Sequence, residues 1–114
     1  MRVPWGNGRF ARVLVYGLGL SGRAASRLLL AHGVSVVAVD AKAPDAGDVE
    51  RLAAAARDGA AFAVWPGGEP AELASLGEID GIVVSPGVPM TRPLLVAARR
   101  RGLPVLAEVE LAAP

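Results

Sequence analysis

Short, unbroken apolar runs alternate along this chain with longer segments whose apolar positions recur every three or four residues. Unbroken runs suit strands covered on both faces, and the three-to-four repeat suits helices that bury one side. The first run, at 12–16, ends at Gly17. From Ser21 the pattern turns helical, with Ala24, Leu28 and Ala31 predicted on one face, Ala25 and Leu29 beside it, and Gly33 placed to stop the helix. A β-branched run at 34–39 closes at Asp40, and an Ala-rich helix follows over 48–57 with Arg51 and Arg57 outward. A third strand at 62–65 is broken by Pro66, Gly67 and Gly68, and a short helix is expected at 70–76. A strand at 81–84, a helix at 93–101 opening on a proline at a tolerated position, and a strand at 104–107 complete the series. Residues 1–11, with Pro4, Gly6, Asn7 and Gly8, form a turn-rich lead-in without periodicity.

Strands that alternate with helices pair in parallel through right-handed crossovers. The expected fold is therefore α/β: a Rossmann-like, doubly wound five-stranded parallel sheet, ordered 3-2-1-4-5, with about four helices and a single domain over 1–114. In such a sheet the ligand crevice lies at the carboxyl ends of strands one, two and four, where the winding reverses.

Composition narrows the chemistry. Hydrophobic residues make up 53% and aromatics 4%, so the core must rest on Val, Leu, Ala and Ile. A net charge of +1, from 12 basic and 11 acidic residues, leaves no charged block suited to nucleic acid. The longest basic run, Arg99 to Arg101, falls in the last turn of a predicted helix, where cations complement the dipole. With no cysteine there is no disulfide framework, thiolate nucleophile or Cys-based metal site. No apolar run approaches the ~18 residues that cross a bilayer, and no signal-peptide core is present, so a soluble, cytoplasmic chain without a membrane partner is expected. Eleven of the 12 basic residues are Arg, Asn7 is the one Asn and Gln is absent, a bias that suits a heat-adapted or GC-rich source.

The loops at the expected crevice carry the unusual residues. Gly17, Gly19 and Gly22 form a G-x-G-x-x-G turn between strand and helix. The first glycine permits the tight turn, the second a close approach of phosphate to backbone, and the third close helix–strand packing. The helix that follows points unsatisfied N–H groups and a positive dipole end at an anion. Ser21 is placed either to cap that helix or to give its hydroxyl to a phosphate. Asp40, 18 residues past Gly22, stands where a carboxylate meets a ribose hydroxyl or base edge, with Ala41 and Lys42 beside it. Ser85, Pro86 and Gly87 end the fourth strand with a hydroxyl, a stiff bend and a glycine. Each of the three segments also has a reading as a plain structural turn, but their place at the switch point favours ligand contact. His32, at the end of the first helix, reads as a surface or dipole residue. Glu108 and Glu110 stand without a second acidic or His cluster, so no metal or paired-acid site is expected.

Taken together, Val-Leu-Val-Tyr-Gly-Leu-Gly-Leu-Ser-Gly at 13–22, Asp40, Ile-Val-Val-Ser-Pro-Gly-Val-Pro at 82–89 and Pro-Val-Leu-Ala-Glu-Val-Glu-Leu at 104–111 resemble the N-terminal domain of the Mur ligase family, in its D-glutamate-adding branch. The resemblance covers about residues 12–111. It implies a domain that holds the UDP moiety of UDP-N-acetylmuramoyl-L-alanine during ATP-dependent addition of D-glutamate in peptidoglycan synthesis. It also implies that backbone groups at Leu20, Ser21 and Gly22 face the diphosphate. Asp40, Ala41 and Lys42 would recognise the uracil, and Ser85, Pro86 and Gly87 would line the uridine side. In that family ATP and Mg²⁺ belong to a central domain opened by a Gly-Lys-Ser/Thr loop, which this sequence lacks. The implication is a monomeric, substrate-binding chain with no catalytic residue, metal or cofactor of its own. Two other readings share the glycine turn and the Asp40 spacing: the NAD-binding domain of an oxidoreductase, and a nucleotide-sensing regulatory domain.

Overall fold

The apolar runs pair as one parallel sheet. The computed structural model of the chain describes residues 10–107. In chain order its elements are β1 (Arg12–Tyr16), α1 (Leu20–Ala31), β2 (Ser35–Val39), α2 (Ala46–Ala54), β3 (Phe62–Val64), a 3₁₀ turn (Leu73–Leu76), β4 (Gly81–Val84), α3 (Pro93–Arg100) and β5 (Val105–Ala107). The strands are ordered β3-β2-β1-β4-β5, as expected from the alternation. Leu14 of β1 lies opposite Val37 of β2 on one side and Ile82 of β4 on the other. The lead-in at 1–9 and the Glu108 and Glu110 ending lie outside the described residues.

Because side chains alternate along a strand, each central strand feeds both faces. Val13, Val15, Val36, Ala38 and Val83 pack with Ala25, Leu29 and Leu30 of α1 and Leu52 of α2. Leu14, Tyr16, Val37, Val39, Ile82 and Val84 pack on the other side with Leu94, Leu95 and Ala98 of α3 and with Leu73 and Leu76. Full burial of a Leu, Ile or Val side chain is worth about 1.5–3 kcal/mol, so these two layers hold the strand ends in register.

The helices depart from the sequence reading in four places. The buried face of α1 is Gly22, Ala25, Ser26, Leu29 and Leu30, while Ala24 and Ala31 are exposed. Alanines on both sides of the helix blur the apolar stripe, and the glycine contact with β1 fixes its rotation. Ser26, fully buried, donates its hydroxyl to the Gly22 carbonyl at 2.8 Å and so leaves no unmet polar group. The expected short helix is a 3₁₀ turn. Its buried Leu73 and Leu76 stand three apart, the repeat at which a 3₁₀ turn stacks side chains. Helix α2 starts earlier than expected, because the Asp45 carboxylate accepts the Asp48 N–H at 3.0 Å, and it ends before Arg57. The residue capping α1 is Gly19, and Ser21 lies inside the first turn.

Other signals stand as expected. Gly33, at φ +80°, follows α1, with its N–H on the Leu30 carbonyl and the Val34 N–H on that of Leu29. That pair of bonds is a Schellman stop. His32 Nδ1 lies 2.8 Å from the Leu28 carbonyl oxygen at the same helix end. Arg99 and Arg100 occupy the last turn of α3. At the amino end of the sheet, Asp80 Oδ2 accepts both the Ala11 N–H (2.7 Å) and the Arg12 N–H (2.9 Å). The Arg12 guanidinium there donates to the carbonyls of Leu76 and Glu78.

Candidate functional site

The carboxyl ends of β1, β2 and β4 meet in a knot of short backbone bonds. Gly17 turns the chain out of β1 at φ +99° and donates its N–H to the Val39 carbonyl at 2.7 Å. Ser85 donates its N–H to the Tyr16 carbonyl (3.0 Å) and its hydroxyl to the Gly17 carbonyl (3.1 Å), tying the loop after β4 to the glycine turn. A Cβ on Gly22 would stand 1.8 Å from the Gly17 carbonyl oxygen, so only glycine lets α1 sit this close to β1. A Cβ on Gly19 would meet nothing within 4 Å. The protein leaves that side of the loop open, beside a helix N-terminus with no side-chain cap and no acidic residue in its first turn. The opening N–H groups of α1 thus have no side-chain cap and no first-turn acid to offset the helix dipole, which suits an anion.

Asp40 fastens the turn to the loop after β2. Its Oδ2 accepts the Leu18 N–H at 2.5 Å and its Oδ1 the Lys42 N–H at 2.9 Å. Both carboxylate oxygens already hold the backbone, and each retains a second acceptor site. Ala41 and Lys42 are exposed, as are Pro86, Gly87 and Leu20, the last at 82%.

Two sizeable hollows flank Asp40, beside a small one of about 150 Å³ towards Val64 and Trp65. The larger, a cleft of about 440 Å³, has Tyr16, Gly17, Val39 and Asp40 as its floor. Gly67, Gly68 and Glu69 form one wall, and Gly87, Val88, Pro89 and Arg92 the other. The smaller, about 340 Å³, runs past Leu18, Gly19, Arg23, Lys42 and Asp45. Arg23 is not a free cation there. Its Nη1 lies 2.9 Å from Asp48 Oδ2, and Arg51 Nη2 lies 2.5 Å from Asp48 Oδ1. The Arg51 hydrogen bond, helped by the Arg23 charge, lowers the Asp48 carboxyl pKa below its ordinary value against a weaker opposing effect of burial. Leu20 also borders a separate groove of about 270 Å³ between α1 and α2, away from the strand ends.

The structure therefore gathers Gly19, Asp40, Ala41, Lys42 and Gly87 about the two hollows, with Ser85 as a fastener behind them. Three side chains of the cleft escaped the sequence reading. Tyr16, 8% exposed, donates its hydroxyl to the Glu69 carboxylate, and Arg92 stands across the cleft. Burial, the bond to Glu69 and the Glu69 charge push the Tyr16 hydroxyl up to about 12, against a lowering influence from Arg92. Gly67-Gly68-Glu69 follows the edge strand β3, which switch-point reasoning passes over. Its signal was two glycines and an acid at the carboxyl end of a parallel strand.

A doubly wound sheet with a glycine turn and an open cleft at its switch point defines a Rossmann-like α/β domain with a candidate ligand site. Residues 11–107 match the sequence profile of the Mur ligase MurD-like N-terminal domain, and the chain belongs to that family. Similar proteins carry the name UDP-N-acetylmuramoylalanine–D-glutamate ligase. One from Myxococcus xanthus is 44% identical over 101 residues, covering 89% of this chain and 21% of its own length. One from Pelotomaculum thermopropionicum is 46% identical over 103 residues, covering 89% and 21%. One from Frankia casuarinae is 47% identical over 104 residues, covering 88% and 20%. The chain thus spans about a fifth of the length of the curated relatives it matches.

Proposed function

We propose that this chain holds the UDP moiety of UDP-N-acetylmuramoyl-L-alanine within a ligase that adds D-glutamate to it in peptidoglycan synthesis. The names of the relatives support the reaction. The observation that carries the binding role is the uncapped N-terminus of α1, with open space over Gly19 and a cleft beside it. In this reading the N–H groups of Leu20, Ser21 and Gly22 meet the diphosphate, with Lys42 adding positive charge in the smaller hollow. Asp40 holds the glycine turn against the loop after β2 and flanks the uridine with Ala41. Ser85 fixes the loop that brings Pro86 and Gly87 to the same ligand.

In the Mur ligases ATP with Mg²⁺ supplies the phosphoryl group that activates a carboxylate for amide formation. The residues of this chain do not fit that role. The sequence has no Gly-Lys-Ser/Thr loop, and no group of three or more metal-ligating side chains occurs among the described residues. No step through ATP or Mg²⁺ is assigned to them, and the part of this chain is to bind and orient. Among the described residues no helix is long and apolar enough to cross a membrane. Calorimetric titration of the chain with UDP and with NAD tests the binding role. Weak but saturable UDP binding and no NAD binding are expected; tight NAD binding without a UDP response would reverse the reading.

A further inference from the structure

The groove of about 270 Å³ between α1 and α2 gathers more positive charge than the fold uses. Arg23 and Arg27 stand one turn apart on α1 and line it from one side, and Arg51 lines it from α2. Against these three guanidinium groups stands the single carboxylate of Asp48, so two positive charges are left uncancelled. Asp48 holds Arg23 through Oδ2 and Arg51 through Oδ1, which engages both of its oxygens. Arg27 makes no ion pair or hydrogen bond among the described residues. The Nε of Arg23 is buried without a hydrogen-bond partner, although its Nη1 is satisfied. Such a donor costs about 1–3 kcal/mol, and an acceptor brought by a ligand would remove that cost. Leu52, buried, and Leu20, exposed, add an apolar floor and rim. Arg27, Arg51 and Leu52 border this groove and neither of the two sizeable hollows beside Asp40.

We propose that this groove is a second anion site, separate from the strand ends, and that it takes a small organic phosphate. The phosphate sits among Arg27, Arg51 and Arg23, and the organic part lies over Leu52 and Leu20. Planar guanidinium groups meet phosphate oxygens in pairs, which a point charge cannot do. The uncancelled charge of the groove matches that of a phosphate monoester near pH 7, about −1.5 to −2. Arg27 is the group wholly available to the ligand. Asp48 is its internal competitor, since it occupies Arg23 and Arg51 in the empty groove. The proposal does not depend on the UDP reading, because it uses a different face of α1.

The test is an NMR titration of the chain with inorganic phosphate and with phenyl phosphate, at an ionic strength held constant with sodium chloride. It reads the arginine Nε–Hε signals and the amides of 23–27 and 48–52, with circular dichroism as a check on folding. Saturable shifts are expected at Arg27 and Arg51, with phenyl phosphate binding more tightly than inorganic phosphate. Arg27→Ala, at an exposed helical position, should weaken both about tenfold, and Arg27→Lys, which keeps the charge but loses the fork, by less. Asp48→Asn should have the opposite sign and tighten binding, because it releases Arg23 and Arg51. General damage to the fold would not produce that gain. The site is overturned by shifts confined to Gly19–Gly22 and Lys42, by equal shifts with chloride alone, or by unchanged affinity in Arg27→Ala. Weaker binding in Asp48→Asn would also overturn it, and equal affinity for the two probes would overturn the organic part of the assignment.

Discussion

The two ends of β1 use the same device for different purposes. At the amino end the Asp80 carboxylate accepts the N–H groups of Ala11 and Arg12, and the Arg12 side chain goes to the carbonyls of Leu76 and Glu78. The acid and the base there find their partners within the fold. At the carboxyl end the Asp40 carboxylate accepts the N–H groups of Leu18 and Lys42 in a similar way. Around it, however, stand a helix without a side-chain cap, a Glu69 with one oxygen on Tyr16, and an Arg92 without an ion pair or hydrogen bond among the described residues. An aspartate clamping backbone is thus no sign of a binding site. What distinguishes the site is the bonding capacity left over beside the clamp.

The largest expected effect comes from the glycine on which the carboxyl end is built. Gly22→Ala places a Cβ against the Gly17 carbonyl and should cost about 3 kcal/mol or more, read as a fall in urea midpoint with an unchanged slope. Next, Tyr16 is the chain's one tyrosine, so its ionisation can be followed by ultraviolet absorbance. The folded hydroxyl holds its proton to about 12, whereas an unfolded one releases it near 10. The stabilising contribution is therefore complete below pH 10 and is lost as pH rises through 12. A folded-state midpoint near 10 would remove Glu69 and burial as controls on this residue.

The two aspartates give the sharpest contrast. Asp40→Ala should reduce both stability, by about 1 kcal/mol, and UDP affinity, by about tenfold. Asp80→Ala should cost a similar stability and leave the UDP affinity of the folded chain unchanged. Equal losses of affinity would erase the distinction between the two ends. The smallest effect on the fold is expected at Gly19, whose φ of −69° and open surroundings accept a methyl group. Gly19→Ala should change stability by less than about 0.5–1 kcal/mol in a melt, yet hinder the approach of a phosphate.

Much of this was legible in the sequence. The five apolar runs gave the strands, the alternation with helical segments gave their order, and the G-x-G-x-x-G spacing gave the turn at the end of β1. Three loops were placed at the crevice because the topology requires it. What could not be read depends on contacts distant in the chain. The rotation of α1 is set by Gly22 against Gly17, which a helix already rich in alanine does not advertise. Asp40 as a clamp depends on where the Leu18 N–H points. Glu69 enters the cleft because parallel register lifts the end of β3 beside β2, and its bond to Tyr16 spans 53 residues. Arg92, just before α3, had no pattern of its own and is visible only as the wall opposite Glu69.

The central claim, that the carboxyl end binds and the amino end only supports, is tested most directly by amide NMR during UDP titration. Shifts are expected at Gly19 to Gly22, Asp40 to Lys42, Glu69 and Ser85 to Gly87, with Ala11, Arg12 and Asp80 unmoved. Shifts centred on Ala11, Arg12 and Asp80, or a response to NAD and none to UDP, would contradict it.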